Sequence, residues 1–144
     1  MNNLPICDLN EWLIVLDPFQ RDLLSQILLN HTEEEALDIW LTTVGPNNTV
    51  TFGGNGKEDL LNPFKLELYK FISKDEEYKN EIRELEGYAT VTKFFVVSFL
   101  SSTLSGRLGV ASSVIAPLIV LALGLIGKMG IRAFRSKLEK EIKN

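Results

Sequence analysis

Reactive side chains are scarce in this chain of 144 residues, which holds a single cysteine, Cys7, and a single histidine, His31. One of each can build neither a disulfide framework nor a His/Cys zinc site within one chain. Cys7 has no cation close in sequence to favour the thiolate, the form that attacks electrophiles. His31 lies between Asn30 and Thr32 at a predicted helix junction, an ordinary place for a helix-end histidine. The run Gly53-Gly54-Asn55-Gly56-Lys57 invites comparison with a phosphate-binding loop. That pattern requires Gly at position 51 and Ser or Thr at 58, where this chain has Thr51 and Glu58. The acidic runs Glu33-Glu34-Glu35 and Asp75-Glu76-Glu77 fall at predicted helix starts, where the helix dipole already favours carboxylates. The expectation is a protein that is not an enzyme, with no catalytic residue, cofactor, metal ion or small-molecule substrate.

The informative chemistry is that of a solvent boundary. Residues 1–86 carry 17 acidic and 7 basic side chains, a net of −10; residues 87–144 carry 2 and 8, a net of +6, which together make the chain's −4. An acidic body with a basic tail fits a tail that seeks either a membrane or a nucleic acid. Apolar content decides for the membrane: between 94 and 127 the only charge is Arg107, and 108–127 is 20 residues without one. As a helix that stretch is about 30 Å long, the thickness of a bilayer's hydrocarbon core. Its centre, 114–126, is apolar on every face, whereas a surface helix keeps a polar stripe.

The flanks fit the same picture. Lys128, Arg132 and Arg135 follow the long segment, and with Arg107 they are the predicted membrane-interface cations. Residues 132–143 set Ala133, Phe134, Leu138 and Ile142 among cations, an amphipathic tail suited to a membrane surface. The start of the chain lacks a basic region followed by a long apolar run, so the acidic half is expected to stay in the cytosol. The basic end prefers the same side. A hairpin reconciles them, its first leg at 94–105, its turn at Ser105-Gly106-Arg107 and its return through 108–127, at the cost of carrying Arg107 to the far interface. Gly109, Ser113, Ala116, Gly124 and Gly127 fall along one face of the return leg and are the predicted surface for close helix–helix approach. Ser98, Ser101, Ser102, Thr103 and Ser105 supply hydroxyls to the first leg.

These features require an all-α scaffold. Helix starts are predicted at Asp8 with Glu11, at Asp17 before Pro18 with Gln20, at Thr32 with Glu35, at Asn62 before Pro63, and at Ser73 with Glu76. Three apolar stripes at helical spacing supply a core: Phe19, Leu23, Leu24, Ile27 and Leu28; Ala36, Leu37, Trp40, Leu41 and Val44; and Phe64, Leu68, Phe71 and Ile72. Trp12 and Leu16 pack beneath them. Gly45-Pro46 ends the second long helix. Around 47–57, strand-forming and glycine residues predict a short hairpin or loop, with Phe52, Asn55 and Lys57 as candidates for binding a partner.

The organisation expected is an acidic cytosolic helical domain at 1–87, a hydrophobic membrane segment at 88–130 with its main span at 108–127, and a basic amphipathic tail at 131–144. The function expected is that of a membrane protein with both ends cytoplasmic. Its N-terminal domain binds a protein partner, and its hairpin forms a homo-oligomer in the lipid bilayer and permeabilises it, with no role for nucleic acid. Two alternatives stand beside it: an adaptor whose segment is only an anchor, and a soluble assembly in which the hairpin is buried at an interface. A single chain of this size is expected to have difficulty covering both legs by itself.

Overall fold

The computed structural model describes residues 5, 7–43, 56–88 and 91–143. Among them are eight α-helices, one 3-10 turn and no strand, so the chain is all-α. The helices are α1 (Leu9–Leu13), α2 (Pro18–Leu28), α3 (Glu33–Thr43), α4 (Gly56–Ile72), α5 (Lys79–Glu86), α6 (Lys93–Leu108), α7 (Ser112–Met129) and α8 (Ile131–Lys143), with the 3-10 turn at Glu76–Tyr78.

Three of the five predicted starts form as the side chains dictate. The Asp8 carboxylate accepts from the Glu11 amide at 3.2 Å, and that of Asp17 accepts from the Gln20 amide at 2.9 Å with Pro18 in the first turn. At α3 the capping box closes reciprocally: the Glu35 amide donates to Thr32 Oγ1 at 3.2 Å, and the Thr32 amide donates to Glu35 Oε1 at 3.0 Å. The other two predictions need correction. Pro63 does not start a helix but lies inside α4, which begins at Gly56 and runs through the ring with one backbone donor missing. Asp75, not Ser73, caps the turn, accepting from the Glu77 amide at 2.9 Å after Lys74 takes a left-handed φ of 59°. The hairpin or loop predicted near 47–57 lies outside the described residues from 47 to 55, as do Val44 and Gly45-Pro46; Gly56 and Lys57 open α4.

The turn between the hydrophobic legs sits later than predicted. Gly106 and Arg107 remain helical, and Gly109 ends α6 at φ 73°, its amide donating to the Ser105 carbonyl at 2.8 Å. Only a residue without Cβ takes that conformation cheaply, so the chain reverses at the glycine and not at the charge.

Around α7 the bundle closes: α1, α3, α6 and α8 pack against it, and α4 lies against α3, α6 and α8. One hydrophobic core crosses the expected division at 87/88. It joins Trp12, Trp40, Phe64 and Phe71 of the acidic half to Leu104, Ile115, Leu121 and Phe134 of the basic half. Each predicted stripe contributes, with one exception. Phe19 is exposed, leaving Leu24 as the fully buried member of α2.

Candidate functional site

The segment that sequence reasoning singles out, α7, owes its surroundings to its own composition. Ile115 and the whole run from Pro117 to Leu125 are buried. Among the described residues it is the one helix long and apolar enough to cross a membrane. Nonetheless its side chains meet protein on several sides, because α1, α3, α6 and α8 each bury an apolar face against it. Of the two legs that a single chain is expected to have difficulty covering, α7 is covered within the chain, while α6 keeps an exposed side with Phe94, Ser98 and Ser102.

Pro117 controls the entry to α7. Proline has no amide hydrogen, so the Ser113 carbonyl loses its helical partner although the helix runs unbroken through the ring. Gln20 Nε2 fills the gap, donating to the Ser113 carbonyl at 2.7 Å, and beside it Trp40 Nε1 donates to the Val114 carbonyl at 3.2 Å, whose own helical donor, the Leu118 amide, the proline leaves in place. In sequence Gln20 reads only as part of a helix start and Trp40 only as core, which leaves their bonds to α7 unseen. The signal was available, since a proline six residues into an apolar helix always leaves a carbonyl to be satisfied.

At the other end the fit is steric. A Cβ added to Gly124 would stand 2.8 Å from Leu9 Cδ1 and 3.1 Å from Leu9 Cβ, and one added to Gly127 would collide with the Cys7 carbonyl oxygen. Gly124 and Gly127 are therefore the seat of α1 and of the segment leading into it. Ser113 and Ala116 continue the same side towards the α1–α2 junction, lining a groove of about 280 Å³ with Val15, Gln20 and Ser101. Gly109 is not part of this surface, because it forms the turn.

Three cations of the basic half, Arg107, Lys128 and Lys137, find acidic partners in the other half. Arg107 Nη1 lies 3.3 Å from Glu77 Oε1 and its Nη2 lies 3.6 Å from Glu81 Oε2, with the guanidinium stacked 4.4 Å from the centre of the Tyr78 ring. Nη2 also donates to the Glu77 backbone carbonyl. The Tyr78 hydroxyl donates to Glu67 Oε1 at 2.6 Å, and burial, aided by that carboxylate, pushes its ionisation well above the ordinary tyrosine range. Lys128 pairs with Glu33 at 3.7 Å, Lys137 pairs with Glu34, and Lys65 reaches across from α4 to Glu141 at 2.7 Å. Arg132 and Arg135 stand exposed on the outer side of α8. Of the predicted partner-binding loop, Phe52 and Asn55 lie outside the described residues, and Lys57 belongs to the first turn of α4.

Cys7 and His31 do come to one groove of about 660 Å³, together with Glu33, Gly127 and Lys128. The thiol is pushed up by burial and then by the neighbouring Glu11, the opposite of what a nucleophile needs. His31 Nδ1 sits 3.5 Å from Glu35 Oε1, a helix-end contact. Among the described residues no three His, Cys, Asp or Glu side chains converge as a metal site. No family model, curated protein or solved structure matches the chain.

Proposed function

We propose that this protein is a non-enzymatic membrane-acting bundle that stores its membrane-active hairpin, α6–α7, within its own fold. The observation carrying this reading is α7 itself, an 18-residue helix of membrane-spanning length and apolarity that is covered by α1 and α3 of the acidic half and by α6 and α8 of the basic half. Transfer of such a helix from a protein core to a bilayer is nearly neutral for its side chains, because lipid tails are as apolar as leucine. What release costs is packing, plus the bonds from Gln20 and Trp40, each about 1 kcal/mol. In the bilayer the side of α7 now occupied by α1 becomes a small-residue face for self-association, with permeabilisation as the outcome. Both ends of the hairpin remain on the cytoplasmic side, α1–α5 then being free to bind a protein partner.

The test is fractionation of purified, detergent-free protein before and after addition of vesicles, followed by alkaline-carbonate extraction and dye release. Conversion from a soluble species to a carbonate-resistant one that leaks dye is the expected result. Gly124→Leu should insert without cross-linking into oligomers. Complete recovery in the carbonate supernatant, with no leakage, overturns the proposal. That outcome favours a second reading, in which α7 is the permanent core of a soluble interaction module. The fitted hydrogen bonds at Pro117 are the observation on its side.

A further inference from the structure

The end of α7 and the outer side of α8 together form an exposed basic face. Helix α8 turns its apolar side inward, with Phe134 and Leu138 buried beside Phe64 and Leu68 of α4. Its outer side exposes Arg132, Arg135 and Lys140, and the half-turn before it exposes Lys128. Two cations of this region, Lys128 and Lys137, are held by Glu33 and Glu34 in the first turn of α3, a helix that also covers α7. Gly130, at φ 91°, joins α7 to α8 in a conformation that residues with a Cβ rarely take.

From this arrangement we infer that the α7–α8 basic face docks on anionic phospholipid, and that lipid headgroups compete with Glu33 and Glu34 for Lys128 and Lys137, loosening α3 from α7. The inference rests on the membrane-acting reading and supplies its partner and its trigger. An anionic bilayer is favoured over a nucleic acid because the same face ends the one helix, among the described residues, long and apolar enough to cross a membrane. With its apolar stripe occupied by α4, α8 docks through charge, and each cation near an acidic surface multiplies partitioning roughly fivefold.

Flotation of the full-length protein with vesicles of pure phosphatidylcholine, or of phosphatidylcholine with 30% phosphatidylglycerol, tests this directly. The wild type should float with the acidic vesicles only, and raised salt should release it. Arg132→Gln with Arg135→Gln should lower partitioning about 25-fold on acidic vesicles. Glu33→Gln with Glu34→Gln should raise it roughly tenfold, with carbonate-resistant insertion rising in parallel. Equal flotation on both vesicle types, or wild-type flotation by the double-arginine variant, overturns the docking surface; so does binding to a DNA duplex at the same salt without vesicle binding. Unchanged flotation and insertion by the double-glutamate variant overturns the competition. Lipid-dependent flotation that remains fully carbonate-extractable upholds docking and removes hairpin insertion instead. Urea melts of each variant confirm that a fold is present to be tested.

Discussion

The two legs of the apolar hairpin differ in composition, α6 carrying hydroxyls and Arg107 where α7 is apolar all round, and they differ as much in their surroundings. Helix α7 lies at the centre of the bundle, the carbonyls of its first turn bonded by Gln20 and Trp40 and its glycine side closed by Leu9 and Cys7. Helix α6 lies at the edge. It buries Val96, Val97, Leu100 and Leu104 while leaving Phe94, Ser98, Ser102 and Gly106 outward at four-residue intervals. Along its flank the half-buried Phe95 meets Tyr88 on one side and the half-buried Phe99 on the other, with tilted rings. Apolarity made both legs candidates for a membrane, but position in the bundle separates them: one has neighbours around it, the other on one side.

Removing side-chain volume should separate the legs most widely. Leu121→Ala in α7 leaves a cavity where exposure is nil and should cost about 3 kcal/mol, whereas Phe94→Ala in α6, 66% exposed, should stay within about 0.5 kcal/mol. Urea unfolding followed by circular dichroism measures both, and equal losses would erase the distinction. Adding a methyl group should separate them by sign. Gly127→Ala drives a Cβ into the Cys7 carbonyl and should destabilise by about 2 kcal/mol, while Gly106→Ala meets nothing within 4 Å and should stabilise by about 0.5–1 kcal/mol.

The hydrogen bonds at Pro117 give a smaller, sharper contrast. Gln20→Ala and Trp40→Phe should each cost about 1 kcal/mol, and in Pro117→Ala the Gln20 change should lose much of its effect, because the helix then supplies its own donor. A double-mutant cycle reads this coupling, and strict additivity would show that the proline does not create the need.

The smallest expected effect is acid dependence at the cap of α3. The Thr32 amide, then His31, holds the Glu35 carboxyl below its usual range. Its folded value being the lower one, the stabilisation is complete above the unfolded glutamate pKa of about 4.3 and is lost as pH falls through the folded value. A carboxyl titration by NMR should give a midpoint below that of a free glutamate, and Glu35→Gln should flatten stability over that acid window.

Much of this was readable from local rules. Asp8, Asp17 and Thr32 cap as written because a cap needs only its own turn. The stripes of α3 and α4 turn inward as predicted because a helix has one apolar face to offer. The errors are equally physical. Pro63 looks like a helix start because proline favours the first turn, yet here the helix begins earlier and tolerates the missing donor. Gly106 and Gly109 are indistinguishable as residues, and only the second takes a positive φ. Arg107 reads as a charge that needs a polar interface; its partners Glu77, Glu81 and Tyr78 come from a segment some 30 residues earlier in the chain.

By itself, the sequence determined an all-helical chain, its caps, and one stretch apolar all round. Hydrogen bonding within a turn and periodicity along a helix are local and need nothing else. Tertiary structure decided that α7 is wrapped by its own chain, that its glycines seat α1, and that Arg107, Lys128 and Lys137 meet Glu33, Glu34, Glu77 and Glu81 while Arg132 and Arg135 stay exposed. A helix apolar on every face is equally satisfied by lipid or by protein, and its sequence alone carries no term that prefers one. The preference comes from the partners folded around it, through a carbonyl that needs Gln20 and a glycine that leaves room for Leu9.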